Sequence, residues 1–201
     1  MIAIIDYGVG NLFSLTSSFG AIGEEVVITS DADVIRNADK LILPGVGAFG
    51  DARQKLYESG LDKIIVDEVK RGKPLLGVCL GMQMLFDKSY EYGEHEGLGL
   101  VGGKVVYIDL PREYKIPHIG WNCLRFEKVS PILKYINEND FVYFVHSYHA
   151  IDCEESLVAT TDYGIPITAI VQKDNVYGCQ FHPEKSGDVG LKILKAFAEI
   201  N

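Results

Sequence analysis

"PLLGVCLGMQML", Pro74 to Leu85, decides how the chain is read. Its first half, Pro74–Val78, is a short apolar run of the kind that forms a strand buried on both faces. From about Leu80 to Lys88 the pattern becomes helical. Between the two halves stands Cys79, with Gly77 and Gly81 on either side. A strand that turns sharply into a helix is the repeating unit of parallel sheets.

The same unit recurs upstream. Ile2–Asp6, Val26–Thr29 and Lys40–Leu43 read as strands. Asn11–Ile22 reads as a helix with Leu12, Leu15, Phe19 and Ile22 on one face, and "DADVIRNA" as a short helix after the second strand. In Leu61–Lys70, the residues Leu61, Ile64, Ile65 and Val69 fall at amphipathic spacing. After Gly93 the texture changes to successive strands in "GKVVYIDL", "GWNCLRFEKV", "FVYFVHSYHAI", "LVATTDYG" and "ITAIVQKDNVYGCQF". A short helix is expected at Pro131–Ile136, and a closing one at Val189–Ile200. The expected fold class is α/β: a doubly wound, mostly parallel sheet with antiparallel additions. Such a fold implies no function by itself.

Composition narrows the function classes. The chain has 201 residues, 47% of them hydrophobic and 23% charged, which is globular material with enough length for a full core. A single domain over 1–201 is expected. A net charge of -9 without a Lys/Arg cluster argues against a nucleic-acid partner. Cys79, Cys123, Cys153 and Cys179 are scattered and form no C-x-x-C, so reduced thiols and a cytoplasmic address are expected. No basic, apolar leader opens the chain, and no apolar stretch approaches the ~20 residues of a membrane span.

Gly77-Val78-Cys79-Leu80-Gly81 has the setting of a nucleophile elbow, with Cys in place of Ser. The unpaired N–H groups of the following helix favour a thiolate and can hold an oxyanion. The motif alone fits equally well a core cysteine at a strand end. A base decides between the two readings. In "QFHPE", Gln180 to Glu184, Pro183 keeps His182 extended, so His182 and Glu184 project to one side, where the carboxylate can orient the imidazole. Cys179 and Phe181 then face the core. A cysteine at one strand terminus and His-x-Glu at another, in a sheet that places its sites at strand ends, favours the nucleophile.

Gly45-Val46-Gly47-Ala48-Phe49-Gly50 matches G-x-G-x-x-G, yet it follows the third strand rather than the first. Asp67 and Glu68, the acids at the right distance, lie inside a helical pattern. Gly8-Val9-Gly10 lacks the third glycine, whose place Phe13 takes. Dinucleotide binding is therefore not expected, and no cofactor is. A glycine loop beside the elbow can instead donate a backbone N–H to an oxyanion. His146 and His149 fall on opposite faces of a strand, His95 lies in a charged loop, and His118 has no carboxylate partner in sequence, so no metal site is expected. Trp121 suits a core or an interface.

"GVCLGMQ" with "QFHPEKS" resembles the Cys-His-Glu triad of class I glutamine amidotransferases. "IIDYGVGN", "LPGVGAFGDA", "PHIGWN" and "FVHSY" resemble one branch of that family, the HisH glutaminase subunits of imidazole glycerol phosphate synthase, over Ile4 to Ser186. The resemblance implies a flavodoxin-like fold. It also implies that Cys79 attacks the glutamine carboxamide, that His182 protonates departing ammonia, and that Glu184 orients His182. The N–H groups of Leu80 and, after a loop adjustment, Val46 would form the oxyanion hole. Gly47, Gln83 and Glu91, with backbone groups of Ser147 and Tyr148, would hold the substrate; Ser147 stands where the family has threonine. Asn11, Trp121 and Lys185 would meet a (β/α)-barrel synthase subunit, HisF, which receives the ammonia and makes imidazole glycerol phosphate and AICAR. Two other readings remain: a glutaminase subunit of the anthranilate or aminodeoxychorismate synthase type, and a non-catalytic α/β module with a structural cysteine.

Overall fold

A computed structural model describes residues 1–200. The first half alternates strand and helix: β1 Ile2–Ile5, α1 Leu12–Ala21, β2 Val26–Thr29, α2 Ala32–Asn37, β3 Lys40–Leu43, α3 Phe49–Glu58, α4 Leu61–Lys70, β4 Leu75–Val78 and α5 Leu80–Gln83. Strands dominate thereafter: β5 Lys88–Ser89, β6 His95–Glu96, β7 Lys104–Tyr107, β8 His118–Cys123, β9 Arg125–Phe126, β10 Phe141–His146, β11 Tyr148–Ile151, β12 Leu157–Asp162, β13 Pro166–Lys173 and β14 Val176–Cys179. A 3₁₀ turn at Pro183–Lys185 and helix α6, Gly187–Ala198, follow.

The main sheet has the order β2-β1-β3-β4-β14-β13-β12-β9. Its first five strands are parallel, and β13, β12 and β9 are added antiparallel. With β14 in fifth place, the parallel part has the 2-1-3-4-5 order of flavodoxin-like sheets, which opens a crevice at the carboxyl ends of β1 and β3. Every residue of β1, β4 and β14 is buried, as continuous apolar runs require of strands covered twice. Alternate side chains enter two cores. Ala3, Ile5, Leu41, Leu43 and Leu75 pack with Ile35, Leu56 and Ile65 of α2, α3 and α4. Ile4, Ile42, Leu76 and Val78 pack with Leu15 and Phe19 of α1 and with Ile193 and Phe197 of α6. This is the expected doubly wound, mostly parallel sheet with antiparallel additions.

Three local expectations are corrected. Helix α3 was not expected, because Phe49 and Gly50 looked like the end of a glycine loop; instead Phe49, Ala52 and Leu56 form its buried stripe. The helix expected to reach Lys88 stops at Gln83. Met84, Leu85 and Phe86, the residues that follow, are all fully buried. The chain breaks into tight turns, and Lys88 enters a small sheet beside Lys104. Third, His182 and Glu184 do not lie in a continuing strand: β14 ends at Cys179, and Glu184 sits in the 3₁₀ turn after an extended His182.

Candidate active site

The junction of β4 and α5 gives Cys79 a backbone that L-residues rarely adopt, φ 54° and ψ -111°. Strain of this kind costs about 1–3 kcal/mol and persists only where the surroundings impose it. The surroundings are visible. A Cβ on Gly77 would lie 2.7 Å from the Gly81 carbonyl oxygen, and one on Gly81 would lie 1.8 Å from the Leu43 carbonyl oxygen. Gly77 therefore lets α5 lie close against β4, and Gly81 lets the elbow press against β3. The Cys79 N–H donates to the Cys179 carbonyl at 2.7 Å, continuing the β4–β14 pairing, while the Cys79 carbonyl accepts from the Gln83 N–H. Sheet on one side and helix on the other hold the sulfur at the crevice.

Because β14 pairs in parallel with β4, the segment that leaves β14 arrives beside Cys79. Strand β10 holds that segment in place: the His182 N–H donates to the Tyr143 carbonyl at 3.0 Å. The Tyr143 N–H donates to Ser186 Oγ at 2.9 Å, and the Ser186 hydroxyl donates to the His182 carbonyl at 2.6 Å. The His182 imidazole lines the cleft together with Cys79, and its Nδ1 is 2.7 Å from Glu184 Oε1. Burial by itself would push the imidazole down. The hydrogen bonds and charges of Cys79 and Glu184 outweigh it and lift His182 to about 10. A carboxylate on Nδ1 leaves Nε2 to face the sulfur.

These groups open into a cleft of about 310 Å³, lined by Val46, Gly47, Cys79, Leu80, Gln83, Glu91, Ser147, Tyr148, His182 and Lys185 among others. Thus the residues expected at the catalytic, oxyanion and substrate positions converge on one cleft, with Glu184 behind His182. A larger cleft of about 640 Å³, around Asp152 and Asp174, contains none of them. Glu91 is half-buried; desolvation raises its carboxyl, against the Phe49 N–H donated to it at 2.6 Å. Asn11 caps α1, which packs beside the Pro183–Lys185 turn. Trp121 is 54% exposed and its ring lies against Gly187 at the same turn. Asn11, Trp121 and Lys185 therefore flank one rim.

Sequence reading missed two groups here. The first is Gln180, fully buried, whose Nε2 donates weakly to Cys79 Sγ at 3.9 Å while its Oε1 accepts from Gln83 Nε2 at 3.0 Å. Its only sequence signal was its place in the same short segment as His182 and Glu184. Gln83 Nε2 also donates to the Tyr148 carbonyl at 3.0 Å. With both its amide hydrogens engaged, Gln83 can offer the cleft only an acceptor. The second is a histidine pair. His118 and His146 meet across β8 and β10, Nδ1 to Nε2, at 3.1 Å. His146 Nδ1 lies 2.8 Å from the Tyr148 carbonyl, an obligate acceptor, so Nδ1 carries the proton and His118 donates to His146. Burial pushes His118 down to about 4 and His146 to about 3. No sequence signal could pair them, since register decides it. Among the described residues no group of three or more His, Cys, Asp or Glu is placed to hold a metal. Nor is any helix among them long and apolar enough to cross a membrane.

The family model described as "Glutamine amidotransferase class-I" matches residues 3–200. The chain is 53% identical over 201 residues to the imidazole glycerol phosphate synthase subunit HisH of Caldanaerobacter subterraneus subsp. tengcongensis, covering 100% of this chain and 98% of that one. It is 53% identical to the HisH subunit of Lactococcus lactis subsp. lactis, over 98% of each. Among solved structures, a glutamine amidotransferase superposes with TM-score 0.76 at 19% identity, over 98% of this chain and 100% of that one. PurLQS from Thermotoga maritima superposes with TM-score 0.74 at 19% identity, over 98% and 96%. At such identity the likeness is one of fold. Family model and full-length relatives agree, and the chain belongs to the class-I glutamine amidotransferases, in their HisH branch.

Proposed function

We propose that this chain is the glutaminase subunit of an imidazole glycerol phosphate synthase, serving as a single domain over its whole length. One observation carries the proposal: a strained cysteine at the β4 elbow shares its cleft with a buried imidazole that a buried carboxylate holds from behind. Cys79 adds to the carboxamide carbon of glutamine, its thiol proton having already passed to His182. The oxygen of the tetrahedral adduct is held by the N–H groups of Leu80 and Val46. As the adduct collapses, the C–N bond breaks, His182 protonates the leaving nitrogen, and ammonia departs. Water then adds to the thioester with His182 as base, releasing glutamate and the free thiol.

The amino-acid end of the substrate is an ammonium and a carboxylate. Glu91 and the free oxygen of Gln83 suit the ammonium, and backbone groups at Ser147 and Tyr148 suit the carboxylate, with Gly47 along the side of the cleft. Released ammonia would be protonated in water and lose its nucleophilic lone pair, so it needs a sheltered route to an acceptor. The β8–β10 ribbon supports a docked partner, since exposed Ile119 and Trp121 lie on it toward the cleft and exposed Phe141 at its other end. That partner is a (β/α)-barrel cyclase subunit, HisF, contacting Asn11, Trp121 and Lys185 and using the ammonia to form imidazole glycerol phosphate and AICAR. The reading is tested by glutamine hydrolysis with the cyclase subunit bound. Cys79→Ala is expected to abolish turnover with the fold retained, and glutamine-like electrophiles to label Cys79. Labelling of Cys123, Cys153 or Cys179 in its place overturns it.

A further inference from the structure

Tyr7, on the loop after β1, is 6% exposed, and its hydroxyl donates to the Pro44 carbonyl at 2.7 Å. The Pro44 carbonyl and the Gly45 N–H belong to one planar peptide unit, so this bond orients the peptide at the root of the Gly45–Ala48 loop. The same root is walled on two sides. A Cβ on Gly45 would lie 2.6 Å from the Gly81 nitrogen, and one on Gly10 would lie 2.8 Å from Pro44 Cβ. The far end of the loop is held as well, by the Phe49 N–H donated to Glu91 at 2.6 Å. Between the anchors Val46 and Gly47 are exposed, with Gly47 at φ +91° and open space where its side chain would be.

We infer that Tyr7 is a positioning residue for the oxyanion hole: by holding the Pro44 carbonyl it confines rotation in this loop to the peptide that carries the Val46 N–H. The inference rests on the reading of Val46 as an oxyanion donor. With its root fixed, the loop turns that N–H toward or away from the cleft through Gly45 ψ and Val46 φ. Without the hydroxyl the preceding peptide turns too, the loop spreads over more conformers, and a smaller fraction aims the N–H at the adduct oxygen. Burial raises the phenol of Tyr7, which keeps it a neutral donor. Substrate grip is untouched, because Tyr7 lines no part of the cleft.

The test is Tyr7→Phe in the complex with the cyclase subunit, beside Val46→Pro, which deletes the donor. For Tyr7→Phe the glutaminase kcat is expected to fall about tenfold with KM for glutamine within about twofold, and the Gly45 amide to exchange with deuterium faster. Alkylation of Cys79 by iodoacetamide, which uses the sulfur and needs no oxyanion hole, is expected to keep its rate. An unchanged kcat in Tyr7→Phe overturns the inference. So does an equal loss in alkylation rate, which would put Tyr7's effect on Cys79 itself. Loss in Val46→Pro with none in Tyr7→Phe overturns the clamp alone. Full activity in Val46→Pro overturns the donor reading beneath it.

Discussion

Nδ1 of His182 and Oε1 of Glu184 are 2.7 Å apart, their side chains are 3% and 1% exposed, and the second carboxylate oxygen of Glu184 has no hydrogen-bond partner. A buried carboxylate with one engaged oxygen has a single orienting task. Glu184→Gln keeps an acceptor oxygen for Nδ1–H and is expected to retain part of the glutaminase activity. His182→Ala removes the proton carrier and is expected to cost at least about tenfold more in kcat. Steady-state kinetics of the two variants checks the order, and the reverse order would refute the division of roles.

The raised pKa of His182 has a consequence for stability. Its folded value, about 10, lies above the ordinary 6.5, so the folded chain holds this proton more tightly than the unfolded one. The stabilisation is therefore complete below about pH 6.5 and is lost as pH rises through about 10. Urea midpoints between pH 7 and 10.5 should fall in the native chain. In Cys79→Ala, which removes one of the two groups that raise the imidazole, the fall should be shallower.

Burial pushes His118, His146 and His149 the other way, to about 4, 3 and 4. Here the unfolded chain takes up protons first. Stability is expected to hold above about pH 6.5 and to fall as pH drops toward 4. His118 is stacked between Phe144 and Tyr163, so His118→Phe keeps the stack and deletes one titrating group. Its denaturation midpoint should decline less steeply with acid than that of the native chain.

Two glycines separate close approach from backbone freedom. At Gly81 a Cβ would meet the Leu43 carbonyl oxygen at 1.8 Å; at Gly47 it would meet nothing, and only φ +91° opposes it. Gly81→Ala is expected to cost more than about 3 kcal/mol or to prevent folding. Gly47→Ala is expected to cost about 1 kcal/mol. Comparable losses in equilibrium denaturation would show that the elbow does not depend on contact with β3.

The exposed Val46–Gly47 segment, with open space around Gly47, leads us to expect a gate. With the Val46 N–H turned away in the free chain, the missing donor costs about 3–4 kcal/mol, a factor of several hundred in rate. Glutaminase turnover should be very slow for the chain alone and rise with the cyclase subunit, then again with that subunit's nucleotide ligand. Equal turnover in all three states would mean a preformed oxyanion hole.

Much of this protein was decided within short windows of sequence. The continuous apolar runs of β1, β3 and β4 admit only strands covered on both faces, and the glycines around Cys79 permit its strained turn. His182 and Glu184 meet because they are two residues apart in a chain that Pro183 constrains. Tertiary structure decided what such windows cannot hold. Cys79 and His182 stand about a hundred residues apart in sequence, and they meet because burying both faces of the sheet sets β14 in parallel register beside β4. The same pairing carries Gln180 to Cys79 and Gln83, and the β8–β10 register brings His118 to His146. Helix α5 ends after four residues although its sequence continues the helical pattern, and Met84, Leu85 and Phe86 are buried in turns beyond it. Torsional preference and periodicity act over a few residues and can be read along the chain. Register and burial are settled between distant segments, and exist only once the sheet has formed.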